Sequence, residues 1–219
     1  MIVMLDTPQP LDDCAVEIGA QVEQFFSPQT YRRAQQPEQR FAIDNGAFGK
    51  FDAALFLRLV ERERPRRDLC RFVAVPDVVG DARRTLEIFS VWRRKSELAG
   101  WPLALVVQNG QENLPIPWAH LDAIFIGGDD KFKLGAAAMG CLKAAKALGK
   151  WVHVGRVNTP GRYELFKDAG ADSIDGTGLA RYSHMRAAIF DNATNPRFAF
   201  DESLNASGQP HPTEHNKSL

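Results

Sequence analysis

Net charge, cysteine pairs, long apolar runs and nucleotide-binding glycine motifs are all lacking in this chain. Its 27 Lys and Arg balance 27 Asp and Glu, so no global field draws it to nucleic acid or to an anionic membrane. The three cysteines, Cys14, Cys70 and Cys141, are odd in number and far apart. That excludes a disulfide framework or a zinc knuckle and fits a reducing cytoplasm. No run approaches the ~20 apolar residues of a transmembrane helix. Met1 to Asp6 has neither the basic flank nor the apolar length of a signal peptide. No Gly-x-Gly-x-x-Gly follows the first apolar run and no P-loop occurs, which lowers a nucleotide-fold reading. No metal or cofactor is expected.

What the chain does have is a row of short apolar runs with chemically useful ends. Phe41 to Ile43 ends in Asp44-Asn45-Gly46, and Phe72 to Val75 in Pro76-Asp77. Leu103 to Val107 ends in Gln108-Asn109-Gly110, Ala123 to Ile126 in Gly127-Gly128, and Ser173-Ile174 in Asp175-Gly176. Parallel β/α barrels carry their chemistry on the C-terminal ends of their strands.

Helical patterns alternate with these runs, which implies parallel pairing with right-handed crossovers. The expected fold is a compact or partly truncated (β/α)8 barrel, with an open doubly wound sheet as the alternative. Seven strands are legible, beginning with Ile2 to Leu5 and including Trp151 to Val154 and Ala171 to Ile174. A helix capped by Asp12 or Asp13 is expected to run to about Phe26, one capped by Asp81 to Leu98, and one from Lys131 to Leu148. The eighth strand is sought at Phe198 to Phe200. Residues 1–202 read as one domain, and the polar, Gly- and Pro-containing stretch 203–219 as a disordered tail.

Each candidate residue has a structural reading beside the functional one. Asp44 before Asn-Gly is a common turn residue; Asp77 is a loop acid or a helix cap. Gln108 ends a wholly apolar strand, so its carboxamide must find partners or reach a cavity. Gly127-Gly128 suits close approach by a ligand, a phosphate nest or a tight turn. The arginine-rich stretch from Arg58 to Arg71 is a nucleic-acid patch or, with Glu61 and Glu63 interspersed, a solvated helix face.

In order, these motifs resemble the tRNA-guanine transglycosylases. The family's Asp-Ser-Gly-Gly-Phe is matched by Asp44-Asn45-Gly46-Ala47-Phe48, and its Phe-Asp-Glu-Cys by Pro76-Asp77-Val78-Val79. Its Val-Gln-Gly corresponds to Val107-Gln108-Asn109-Gly110, its Ile-Gly-Gly to Ile126-Gly127-Gly128, its Val-Gly to Val154-Gly155, and its Asp-x-x-Asp to Asp172 through Asp175. The likeness runs from Phe41 to about Arg181. The family's Cys-x-Cys-x-x-Cys and His zinc site is absent. That reduction is similar to the compact deoxypurine-in-DNA (DpdA-type) DNA-guanine transglycosylases of phages and genomic islands.

The resemblance implies a pentosyltransferase that exchanges guanine in a polynucleotide, DNA rather than tRNA, for a 7-deazaguanine base (preQ0-like). Asp175 would attack the sugar and Asp44 would move protons. Asp77, Gln108, Gly127, Gly128, Phe48, Val154 and Gly155 would hold the base, and Arg156 and Arg181 the phosphates. Neutral charge suggests a homodimer or an accessory protein. A hydrolytic glycosylase, a lyase or aldolase barrel with a strand-end lysine, and a non-catalytic nucleic-acid-binding paralogue are the rival readings.

Overall fold

Eight short strands pair in parallel, each with its neighbours in sequence, and the last returns to the first. They are β1 (Ile2–Leu5), β2 (Val22–Phe26), β3 (Phe41–Ile43), β4 (Cys70–Ala74), β5 (Leu103–Val107), β6 (Ala123–Ile126), β7 (Trp151–Val154) and β8 (Ser173–Asp175). This computed structural model describes residues 1–194. The barrel closes where Ile2 pairs with Ser173 and Met4 with Asp175. The β/α barrel expected from the sequence is therefore complete rather than truncated.

The helices are α1 (Leu11–Ile18), α2 (Ala53–Glu63), α3 (Ala82–Trp92), α4 (Asp130–Lys133), α5 (Ala136–Ala147), α6 (Pro160–Asp168), α7 (Thr177–Arg181) and α8 (Ser183–Thr194). Asp52, Asp81, Asp129 and Thr159 each cap the following helix by accepting a backbone N–H.

The eighth strand is β2, in a segment expected to be helical. The first helix stops at Ile18 because Gly19 takes a left-handed backbone, φ 64°, and closes it. The next apolar residues, Val22 to Phe26, are then free to extend, and all five are buried. Pro10, not Asp12 or Asp13, precedes that helix. Both Phe198 to Phe200 and the expected tail lie outside the described residues. Two other helices are shorter than expected. The one after Asp81 ends at Trp92, and that expected over Lys131 to Leu148 is divided into α4 and α5 at Gly135.

Strand alternation sorts the side chains into two layers. Val3, Leu5, Ile43, Val107, Ile126, Val154 and Ile174 pack outward under the helices. Met4, Phe25, Phe72 and Val106 fill the barrel, with Ala42, Ala74, Ala104 and Ala123 leaving them room. Burying one such large side chain contributes about 1.5–3 kcal/mol.

The arginine-rich stretch is largely occupied with internal pairing. Arg62 and Arg66 both bond the buried Glu63, at 2.7 and 2.8 Å, and Arg71 bonds the buried Glu23 at 2.7 Å. Arg62, Arg66 and Arg71 are thus partly buried structural partners rather than members of a solvated helix face. The fully buried Arg186 of α8 bonds Glu17 and Gln9 and donates to the Leu179 carbonyl at 2.7 Å, fastening α8 beside α1.

Candidate active site

The strand ends open into a cavity of about 560 Å³ bordered by Asp44, Asp77, Gln108, Gly127, Gly128, Gly155 and Asp175. Phe48, Arg156 and Arg181 border it as well. Its apolar floor includes Met4, Phe25, Val106 and Phe125.

Asp175 ends β8 on the inner face, and its carboxylate is fixed on both oxygens. Oδ1 accepts the Arg156 N–H at 3.1 Å, and Oδ2 lies 3.0 Å from His153 Nε2. Arg156 reaches this position in a left-handed backbone conformation, φ 59°, unusual for a residue with a side chain. Gly155 must be small: a Cβ there would stand 2.5 Å from Phe125 Cε1 and 3.4 Å from Asp175 Oδ2.

Asp77 is held by two carboxamides. Asn45 Nδ2 donates to Oδ1 at 2.8 Å and Gln108 Nε2 to Oδ2 at 2.6 Å. Gln108 Oε1 accepts the Gly80 N–H at 2.9 Å, which fixes the amide so that its nitrogen faces the acid. Gln108 is buried, so its first task is to orient Asp77. Each Asp77 oxygen keeps acceptor capacity toward the cavity. Burial pushes the Asp77 carboxyl above its usual range, and the two carboxamide donors oppose that.

Asp44 follows β3. Removal from water, with Asp175 and Asp77 as like-charged neighbours, raises its pKa from 3.8 to about 7. Loss of solvent is the largest cause and repulsion the second. A carboxyl at that value gives and takes a proton readily near neutrality.

The two glycines after β6 differ. The Gly127 N–H is committed to the Val107 carbonyl at 3.0 Å, so it is not offered to a ligand. A Cβ at Gly127 would stand 2.7 Å from Gln108 Nε2, which is why a glycine lies against that amide. At Gly128 the carbonyl accepts from Arg156 Nη2 at 2.8 Å. The Arg156 guanidinium also lies over the Phe48 ring, 4.2 Å from its centre. Arg156 and Phe48, expected to meet a phosphate and a base, thus meet each other and form a clasp across the mouth. Arg181 is an exposed side chain on the rim.

Val154 does not reach the cavity. It is fully buried on the outer face of β7, because the inward positions of that strand are Trp151 and His153. Expected to hold the base, it is replaced at the cavity by Phe25 and Phe125.

Sequence reasoning missed His153, Asn45 and Lys133. His153 sits one residue before the expected Val154, and the period-two alternation of β7 is the signal that would have found it. Lys133 is 3% exposed, borders the cavity and donates to the Gly155 carbonyl at 2.8 Å. Burial, with the Arg156 charge second, lowers its pKa from 10.5 to about 8. It belongs to the short helix α4 after β6.

Among the described residues no group of three or more His, Cys, Asp and Glu is placed to hold a metal, and no helix is long and apolar enough to cross a membrane. No protein-family model matches this chain, and no curated protein is found to be similar to it.

Proposed function

We propose that the protein is a guanine transglycosylase acting on a polynucleotide through a covalent aspartyl-glycosyl intermediate. One observation carries the reading: three carboxylates share one cavity in three different states. Asp175 is held by the Arg156 N–H on one oxygen and lies against His153 Nε2 with the other, Asp77 is held by two carboxamides, and Asp44 has its pKa raised to about 7.

The chemistry follows from those states. Asp175 attacks the sugar C1′, the bond to guanine breaks, and Asp44 supplies the proton to the departing base. The remaining acceptor sites of Asp77 match the N1–H and exocyclic amine of guanine, both of them donors. A 7-deazaguanine then attacks C1′ from the other face, Asp44 takes its proton, and Asp175 is released. Two displacements retain configuration.

A base inside a duplex cannot reach this cavity, so it must be extruded at a cost of about a few kcal/mol. The aromatic floor of Phe25 and Phe125 offsets part of that. DNA is the proposed polynucleotide on the resemblance to the compact DNA-guanine transglycosylases, with tRNA as the alternative. A homodimer or an accessory protein would supply positive surface that the neutral chain lacks.

The test is mass spectrometry of nucleosides from DNA and from tRNA after incubation with the protein and a 7-cyano-7-deazaguanine. Incorporation into DNA supports the proposal. Loss of guanine without incorporation points to a hydrolytic glycosylase, and no change in either nucleic acid overturns the proposal. Asp175→Asn should abolish exchange and the denaturation-resistant protein–polynucleotide adduct, with the fold unchanged by circular dichroism.

A further inference from the structure

Behind Asp175, inside the barrel, a line of polar side chains runs through otherwise apolar packing. Trp151 Nε1 lies 2.9 Å from Ser173 Oγ, Ser173 Oγ lies 2.9 Å from His153 Nδ1, and His153 Nε2 lies 3.0 Å from Asp175 Oδ2. His153 and Ser173 are completely buried. The imidazole is enclosed by Phe125, Phe72 and Phe25, with ring centres 4.5, 5.1 and 5.3 Å away. A polar chain in such surroundings is costly unless every member is satisfied.

The acid end sets the direction of this chain. An ionised carboxylate only accepts, so the nitrogen that faces Asp175, His153 Nε2, carries a hydrogen. A neutral imidazole then has a bare Nδ1, which accepts from the Ser173 hydroxyl. Ser173 Oγ accepts in turn from the Trp151 indole N–H, which can only donate.

We infer that His153 is a positioning residue for Asp175, held as its Nε2–H tautomer by Ser173 and Trp151. Its catalytic part rests on the transglycosylase reading; the tautomer itself does not. With the Arg156 N–H on Oδ1, the His153 N–H on Oδ2 stops the carboxylate from rotating and aims it at C1′. Donation from His153 is weak to an ester oxygen and strong to a carboxylate. It therefore favours the second displacement, in which the entering base's lone pair forms the new bond to C1′, the C1′–O bond breaks and its electrons return to Asp175.

Two measurements test this. The first needs no activity: nitrogen-15 NMR of the imidazoles, with the His153 signal assigned by its loss in His153→Leu. Nδ1 unprotonated and Nε2 protonated is expected in the wild type, with redistribution toward the other tautomer in Ser173→Ala. An Nδ1–H tautomer in the wild type overturns the chain. The second is base-exchange kinetics. His153→Leu should lower kcat roughly 10- to 100-fold, with KM for the polynucleotide lowered rather than raised and with more covalent adduct at steady state. His153→Gln, which keeps an N–H near the same place, should recover most of the loss. Wild-type kcat in His153→Leu, or a parallel rise in KM, overturns the positioning role. If the wild type exchanges no base in DNA or tRNA while the expected tautomer is found, the transglycosylase reading fails and the catalytic role of His153 fails with it.

Discussion

Gln108 Nε2 stands 2.6 Å from Asp77 Oδ2, and this contact joins the end of β5 to the loop after β4. The carboxamide leans on the Gly80 N–H with its other atom, so the acid is aimed by a side chain that is itself aimed. Gln108→Leu should orphan the Gly80 N–H and one Asp77 oxygen, costing about 1–3 kcal/mol in urea unfolding. Asp77→Asn turns a pair of acceptors into an acceptor and a donor against two guanine donors. Its kcat/KM for guanine exchange should fall roughly 100-fold or more, read with labelled guanine.

Asp44 gives a pH signature. Its pKa rises from 3.8 in a free chain to about 7 in the fold. The native state therefore holds a proton that the unfolded state releases between those values. This stability is fully present below pH 3.8 and is lost as pH rises through about 7. Asp44→Asn removes the dependence. At pH 8 the variant should be more stable than wild type by about 1–3 kcal/mol, the difference closing below pH 4. The same substitution should lower kcat/KM for exchange roughly 100-fold or more, and the exchange that remains should lack the inflection near neutrality.

Arg156 carries a backbone penalty that can be measured directly. A non-glycine residue at φ 59° is strained. Arg156→Gly and Arg156→Ala lose the same contacts with Gly128 and Phe48, but only glycine relieves the strain. Arg156→Gly should be the more stable of the two by about 1 kcal/mol. Equal melting temperatures would sink this argument.

Val154 and Phe125 should separate packing from binding. Val154 faces the helices and Phe125 borders the cavity. Val154→Ala should destabilise by about 1–3 kcal/mol and leave KM for the polynucleotide unchanged. Phe125→Ala should raise KM. A KM effect at Val154 would mean that its side chain reaches the substrate after all.

The sequence by itself determined the alternation of strands and helices and with it parallel pairing, in a barrel or an open doubly wound sheet; closure of β1 on β8 decided for the barrel. Apolar runs buried on both faces must pair with each other, and short crossovers leave few topologies. The sequence also marked Asp44, Asp77, Gln108, Gly127 and Asp175 as polar groups or glycines at the ends of buried strands, each with a structural reading beside the functional one, and the family resemblance added Gly155. Tertiary structure decided what local pattern leaves open. Val22 to Phe26 became a strand because the barrel needed an eighth and Gly19 ended the helix before it. Val154 turned outward and His153 inward because side-chain direction depends on pairing register, which is set by neighbouring strands. The partnerships of Arg156 with Phe48 and of His153 with Asp175 join residues distant in sequence. The raised pKa of Asp44 arises the same way: it depends first on burial and then on two acids 33 and 131 positions away, all of which the closed barrel brings to one cavity.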